Sequence, residues 1–506
     1  MQQQNQKEGQ QEGQHRPVRR VVIAGGGSAG WMAAAAISKT LGKVLDITLI
    51  ESDEISTVGV GEATIPTMVT FHKLLEINEQ EFMAATNATF KLGISFQNWR
   101  NVGEDYIHSF GFTGKDHWTA GFQHFWLKAR ERKLAGDYGD YCLELKASME
   151  DRFAHLPNDT MNYAYHLDAS AYAKYLRKFS EGYGARRMEG KIVKVNLDSG
   201  SGHITSLTLD SGAQIEGDLF IDCTGFRSLL LGQAMNVEFE DWSHWLPCDT
   251  AIAVQTRSSN DLAPLTRAIA HEAGWQWRIP LQTRVGNGIV YASRYMDEDT
   301  ARQSLLKTID GEPTTNPWTI RFKPGQRRQT WSGNCIAVGL ASGFLEPVES
   351  TSLYMVQRSL IRLLQIFPGT QGIVQSDVDE YNQQTAHEIA HIRDFIILHY
   401  KVTNRRDTQF WRDLAAMEVP ANLQHRIDLF REAARVFRAP NELFAENSWI
   451  QVMLGQGLIP DGRHQVADLM GDEELAGFLK SIKARVDDTV RQLPSHKDYL
   501  RKYCPS

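Results

Sequence analysis

The stretch Val21-Val22-Ile23-Ala24-Gly25-Gly26-Gly27-Ser28-Ala29-Gly30-Trp31 constrains this chain more than any other. Its apolar run reads as a short buried strand. Gly25, Gly27 and Gly30, spaced G-x-G-x-x-G, then turn that strand directly into a helix that continues to Leu41. Gly25 allows the tight turn, Gly27 lets backbone approach a pyrophosphate, and Gly30 lets helix and strand pack closely. The unpaired N–H groups at the helix start, reinforced by the helix dipole, favour phosphate. A glycine turn alone is a common feature; its surroundings make this one specific. A second apolar strand, Ile47-Thr48-Leu49-Ile50, ends in Glu51, about 20 residues beyond Gly30, where an acidic side chain binds ribose hydroxyls. No group suited to a 2′-phosphate accompanies it, so FAD or NAD is favoured over NADP.

Length and composition set the remaining bounds. A chain of 506 residues can bury a large core and is expected to hold two domains or subdomains. A net charge of -7, with no basic run, argues against a nucleic-acid partner. No apolar stretch approaches the roughly 20 residues that span a bilayer, so no membrane partner is expected. The five cysteines, Cys142, Cys223, Cys248, Cys335 and Cys504, are dispersed and contain no C-x-x-C. This fits a reducing cytoplasm rather than a disulfide framework. The Gln-rich start has no apolar core of a signal peptide, and residues 1–17 are read as a disordered tail.

Beyond Glu51, Ser56 to Pro66 forms a glycine- and proline-constrained loop, and Thr67 to Leu75 and Glu79 to Thr86 look helical. Phe90, Leu92, Ile94 and Phe96 alternate as in a half-buried strand, with Lys91 on the other face, the usual setting of a solvated or edge lysine. His166-Leu167-Asp168 is read as opening a helix, capped by Asp168 or Ser170. Three short segments between Ile192 and Ile215 read as antiparallel strands. Leu219 to Asp222 is a further buried strand before a glycine turn, and so is Cys335 to Val338. Trp275, Trp277 and Ile279 share one strand face. After Glu346-Pro347-Val348-Glu349 a helix runs to about Ile366, with Ser350 or Thr351 at its anion-binding start. Residues from Asp377 onward are mainly helical. His387-Glu388-Ile389-Ala390-His391 matches H-E-x-x-H, with His399 further along the helix as a third zinc ligand to weigh. No zincin continuation follows, and no metal is expected.

These motifs occur in a diagnostic order: the Gly25–Gly30 loop, Gly59-Val60-Gly61-Glu62-Ala63-Thr64, Lys91 within Phe-Lys-x-Gly-Ile, Trp275-x-Trp277-x-Ile279-Pro280, and Glu346-Pro347-Val348-Glu349-Ser350-Thr351. The chain thereby resembles the flavin-dependent halogenases of the tryptophan/indole type, with motifs from Val21 to Phe367. The resemblance implies a doubly wound α/β FAD/NAD(P)-binding domain of the glutathione-reductase type over residues 18–367, with inserted β elements. A largely helical substrate region, 368–506, would follow. It implies that a separate NADH-dependent reductase supplies reduced FAD, and that hypohalous acid passes through a tunnel to a lysine beside a small aromatic substrate.

Carried over by position, that lysine is Lys91 and the essential carboxylate is Glu349. FAD contacts fall on Gly25, Gly27, Ser28, Ala29, Gly30, Glu51, Gly61, Glu62, Ala63 and Gly339. The halide ion falls on Thr351 and Ser352, and the substrate on His108, Phe110 and Trp449. Ser352 replaces a glycine usual in the tryptophan-specific members. The tyrosine pair of their amino-acid-gripping segment is missing between Pro440 and Gly457. An indole derivative is therefore the expected substrate rather than free tryptophan. A homodimer remains open, as do an aromatic hydroxylase of similar flavin chemistry and a non-catalytic flavin-binding regulator.

Overall fold

The strand Arg20–Ala24 lies inside a six-stranded sheet of order Trp331–Ser332, Cys335–Ala337, Leu219–Asp222, Arg20–Ala24, Asp46–Glu51, Arg186–Glu189. All neighbours in it are parallel except the first pair. The computed structural model describes residues 17–55, 61–117, 119–157, 160–257 and 262–504. The expected tail, apart from Pro17, and the Ser56–Val60 part of the constrained loop lie outside the described residues.

The helix Ser28–Leu41 explains how this sheet is covered. Ala33, Ala34, Ala35 and Ala36 are all fully buried, so the helix is enclosed rather than amphipathic. It packs against the sheet, the helix Ala169–Gly182 and the helix Ser352–Gln365. Four small side chains in a row let these neighbours approach on more than one side. The result is a doubly wound α/β domain, as the glycine motif implied.

A seven-stranded sheet supplies the second layer. Its order is Trp318–Arg321, Thr250–Arg257, Arg284–Tyr291, Gly274–Pro280, Leu265–His271, Gly93–Gln97, Asp105–Ser109. Only the Leu265–His271 and Gly93–Gln97 pair is parallel. A small antiparallel sheet, Gly61–Ala63, Ala164–Asp168, Thr89–Lys91, bridges the two larger ones. The bridge is close: a side chain at Gly286 would lie 3.0 Å from the backbone nitrogen of Gly61. The long helix Gln375–Lys401 and the later helices cover the far side of the seven-stranded sheet, where Ile392, Phe395, Ile396 and Ile397 are fully buried.

Two sequence expectations need correcting. The alternating segment Phe90–Phe96 is not one half-buried strand. It breaks at Leu92 and passes from the bridging sheet into the seven-stranded one. Phe90 and Leu92 enter one core, Ile94 and Phe96 another, and the residues between them are buried on both faces. Lys91 is therefore interior, not a solvated or edge lysine. The second correction concerns His166 and Leu167. They belong to the strand Ala164–Asp168, and the helix begins at Ala169 with the Asp168 carboxylate accepting from the Ala171 N–H at 3.0 Å.

Phe90 has its own enclosure. Phe153 stacks on it at 4.1 Å, and Tyr163, Tyr165, Tyr499 and Tyr503 surround it. Glu79 accepts hydrogen bonds from Tyr163, Tyr165 and Tyr503, tying the ring of aromatics together. Burial of one such ring stabilises the fold by about 1.5–3 kcal/mol. The last helix, His496–Tyr503, is thus docked against the strand that carries Lys91.

Candidate active site

A cavity of about 940 Å³ opens between the strand ends of the parallel sheet and the face of the seven-stranded sheet. Gly25, Gly27, Ser28, Ala29, Glu51, Gly61, Glu62, Ala63 and Gly339 line it, as do Ser350 and Ser352. The glycines are required there. Gly25 has φ +106, and a side chain on it would meet the Cys223 carbonyl oxygen at 2.3 Å. At Gly30, which is behind the wall, a side chain would collide with the Gly25 oxygen at 1.8 Å. Gly27, which caps the helix, offers no side chain, so its N–H groups remain free for a ligand.

Glu51 folds over this loop. Arg187 binds its Oε1 at 2.5 Å and the Trp31 indole N–H reaches its Oε2 at 3.3 Å. The opposite wall is formed by Trp277 and Ile279 of the two-tryptophan strand. The indole N–H of Trp277 is buried without a partner. Glu62 lines the cavity, and burial pushes its carboxyl up to about 7. A long, glycine-floored cavity with an acidic side chain over a helix start fits a dinucleotide such as FAD.

Lys91 is completely buried and is not part of that cavity wall. Its Nζ donates to the Thr64 carbonyl at 2.9 Å and to the Ser350 hydroxyl at 2.8 Å. It lies 5.1 Å from the centre of the Phe110 ring. Burial disfavours the ammonium and lowers its proton affinity to about 7, with Glu349 partly opposing that shift. Ser350, which has φ +59, therefore stands between the cavity and the lysine.

Glu349 is equally buried. The His108 Nδ1 lies 2.9 Å and 3.1 Å from its two oxygens. From the helix Gln375–Lys401, His399 Nε2 approaches its Oε1 to 2.7 Å, without the alignment of a full hydrogen bond. Burial alone would raise this carboxyl, but the two imidazoles outweigh it and hold it at about 2. Glu346, its neighbour across Pro347, points elsewhere. It accepts from Trp275 at 2.6 Å and Tyr400 at 2.7 Å, and burial lifts it to about 7.

The structure thus brings together Lys91, Glu349, His108 and Phe110, four side chains named from sequence. Thr351 and Ser352 start the helix that follows, and the buried Thr351 hydroxyl has no hydrogen-bond partner. Trp449 sits one layer back. It gives its N–H to Glu442, carries Arg426 4.1 Å over its ring, and meets Phe395 edge-on at 4.8 Å. Phe395 and Phe444 are the stacked pair beside His108.

Sequence reasoning missed His399 and Tyr106. The former entered only as a third ligand for the H-E-x-x-H pattern. In that pattern Glu388 is committed to Arg362, Arg358 and Tyr354, and His391 bonds the His387 carbonyl. Ser350 is legible in sequence as a candidate helix start, but its contact with Lys91 depends on the left-handed turn at that residue.

Comparison with known proteins agrees with this geometry. A family model described as tryptophan halogenase matches residues 20–472. The solved structure of Xcc4156, a flavin-dependent halogenase from Xanthomonas campestris, is 64% identical, with TM-score 0.96 over 97% of this chain and 99% of that one. BrvH, a flavin-dependent halogenase from Brevundimonas sp. BAL3, is 42% identical, with TM-score 0.92 over 96% and 99%. The tryptophan 7-halogenase RebH of Lentzea aerocolonigenes is 34% identical over 524 residues, spanning 96% of this chain and 98% of that protein. A glycine-floored dinucleotide cavity, a buried lysine just behind it and full-length similarity to these enzymes place the chain in the tryptophan halogenase family of flavin-dependent halogenases.

Proposed function

We propose that this enzyme installs chloride or bromide on an electron-rich aromatic ring of the indole class, with Lys91 and Glu349 as its catalytic side chains. One observation carries the reading. The Lys91–Ser350 hydrogen bond joins a residue on the cofactor cavity to a lysine shut off from it. This is the arrangement needed when a small reagent is made in one chamber and used in another.

FAD would be held by Gly25, Gly27, Ser28, Ala29 and Gly339, with Glu51 toward the ribose and Gly61, Glu62 and Ala63 along the bridging strand. Gly30 acts by letting the helix pack. Reduced FAD, delivered by a separate reductase, supplies with oxygen the oxidising power that turns halide into an electrophilic halogen. The halide ion would sit at the helix start at Thr351 and Ser352, where the Thr351 hydroxyl has no partner and no side chain caps the helix N–H groups.

Lys91 then receives the electrophile. Near neutral pH a large fraction of its amine is neutral, so a lone pair is available while Thr64 and Ser350 fix the nitrogen. Glu349, held ionised by His108, accepts the proton released from the halogenated ring carbon. His108 and Phe110, with Phe395 and Phe444 behind them, present an apolar aromatic wall suited to a flat ring. Arg426 and Arg438, which could otherwise bind a carboxylate, are engaged with Glu442. This favours an indole derivative over free tryptophan, although the curated relatives are named for tryptophan.

The test is a reductase-coupled assay with indole and bromide, read by product mass. The expected product carries bromine, and Lys91→Ala yields none. A product that gains oxygen instead, or bromination by Lys91→Ala at the wild-type rate, would overturn the proposal.

A further inference from the structure

Glu349 is gripped from two sides, and only one side belongs to the group of residues legible in sequence. His108 reaches it from the strand Asp105–Ser109 and spans both oxygens, at 3.1 Å from Oε1 and 2.9 Å from Oε2. His399 reaches it from the helix Gln375–Lys401 and approaches Oε1 alone, at 2.7 Å. Oε1 therefore has two imidazole neighbours and Oε2 has one.

The His399 ring has little freedom. Phe96 stacks on it at 4.5 Å, and Phe395 and Trp99 meet it edge-on at 5.4 Å and 5.9 Å. Its Nδ1 lies 2.9 Å from the Tyr106 hydroxyl. A phenol donating to Nδ1 leaves the proton on Nε2, the nitrogen that faces Glu349; the partner of one ring nitrogen sets the state of the other. Burial keeps this imidazole toward its neutral form. The titratable groups that face Glu349 are His108, His399 and Tyr106, with Lys91 also within electrostatic reach.

We propose that His399 is a positioning residue for Glu349: kept in its Nε2–H form by Tyr106, it sits with its ring edge against Oε1 at 2.7 Å without a fully aligned hydrogen bond, limits rotation of the carboxylate and leaves Oε2 as the oxygen that receives the substrate proton. The inference rests on the reading of Glu349 as proton acceptor. In the step concerned, the C–H bond at the halogenated carbon breaks, its electron pair restores the aromatic ring, and the proton passes to Oε2. His399 touches neither substrate nor cofactor in this account. Without it, the carboxylate can turn about the single hydrogen-bonding side that His108 supplies, and proton removal slows relative to binding.

The experiment uses the full-length protein with FAD, a flavin reductase, bromide, and either indole or ring-perdeuterated indole. His399→Leu removes the donor and keeps the bulk; His399→Gln restores an N–H near the position of Nε2. The expected result for His399→Leu is a kcat lowered about 10–100-fold, the range typical of groups that orient an active-site residue. Its KM should stay within about twofold, and a deuterium isotope effect on kcat should exceed that of the wild type. His399→Gln should recover most of the rate and lose that isotope effect. Tyr106→Phe should show the same signature more weakly, and serves as the second variant if His399→Leu fails to fold. Wild-type kcat in His399→Leu would overturn the proposal. So would equal losses in the Leu and Gln variants with no change in isotope effect. Glu349→Gln separates the two claims: if it brominates indole at the wild-type rate, the role of Glu349 itself is wrong, whatever the His399 variants do.

Discussion

At the scale of single residues, Lys91 shows how the same environment that makes a side chain useful makes it costly. A lysine with no exposed surface, lowered to about 7, is protonated in the unfolded chain at neutral pH and partly neutral when folded. Unfolding takes up a proton, so this residue weakens stability below its ordinary proton affinity and the penalty shrinks as pH rises toward it. Two outcomes follow for variants. Lys91→Met should melt a few degrees higher than the wild type in a calorimetric scan at pH 7, and be inactive. Lys91→Arg keeps donors for Thr64 and Ser350 but cannot give up its charge. If the neutral amine takes the halogen, turnover by Lys91→Arg falls on the order of 10²–10⁴-fold. Wild-type kcat should then rise as pH passes upward through about 7. A kcat that falls across that interval would instead assign the work to the ammonium form. The sequence named Lys91 through its motif, yet alternation alone placed it on a solvated face. Periodicity reports one sheet, and this residue lies where the chain leaves one sheet for another.

At the scale of elements, the Phe-Lys-x-Gly-Ile motif gains a physical meaning. A side chain on Gly93 would come within 2.5 Å of the His108 carbonyl oxygen and 2.8 Å of the Ser109 Cα. The absence of that side chain lets the strand Asp105–Ser109 close onto Leu92 and Gly93, and Phe110 N–H bonds the Leu92 carbonyl at 2.9 Å. One glycine thus sets the distance between Lys91 and the His108–Phe110 face. Gly93→Ala must push two backbones apart. The expected result is a turnover at least tenfold lower, about 1.4 kcal/mol in the barrier, with FAD affinity unchanged in a flavin fluorescence titration. Loss of FAD binding in this variant would show that the glycine serves the fold at large. The strand–turn–helix at Gly25 and the helix after Glu349 were readable because local chemistry fixes each of them. The contact between His399 and Glu349 was not, since it joins a helix and a turn that no local pattern relates. Nor could spacing show that Glu346 and Glu349, three positions apart, turn to different partners: the left-handed residue at Ser350 and the short helical turn before it decide that.

At the scale of the whole molecule, the strand bearing Lys91 is secured by the far end of the chain. Among the described residues only one strand, Ala164–Asp168, pairs with Thr89–Lys91, which leaves the Phe90 N–H directed outward. His496 supplies the missing acceptor: its Nε2 takes that N–H at 3.2 Å, and its Nδ1 lies 2.5 Å from the Leu262 carbonyl. Both ring nitrogens are satisfied only if Nδ1 carries the proton. Burial enforces the neutral state by lowering the imidazole to about 4. From the other side His166 links the Thr89 hydroxyl to the Thr266 hydroxyl, and Thr266 faces the cofactor cavity. The lysine strand is therefore held between the cavity wall and the C-terminal helix. His496→Leu should leave the Phe90 N–H buried without a partner, at a cost of about 1–3 kcal/mol. Because the strand is short, the cost should appear where the lysine works: kcat for bromination falls about tenfold or more, while FAD binding, whose glycine loop at Gly25–Gly30 lies in the parallel sheet, keeps its affinity. Turnover and flavin titration on the same preparation decide it. A variant that loses FAD affinity in step with kcat would mean that the last helix supports the whole domain and not the lysine strand in particular.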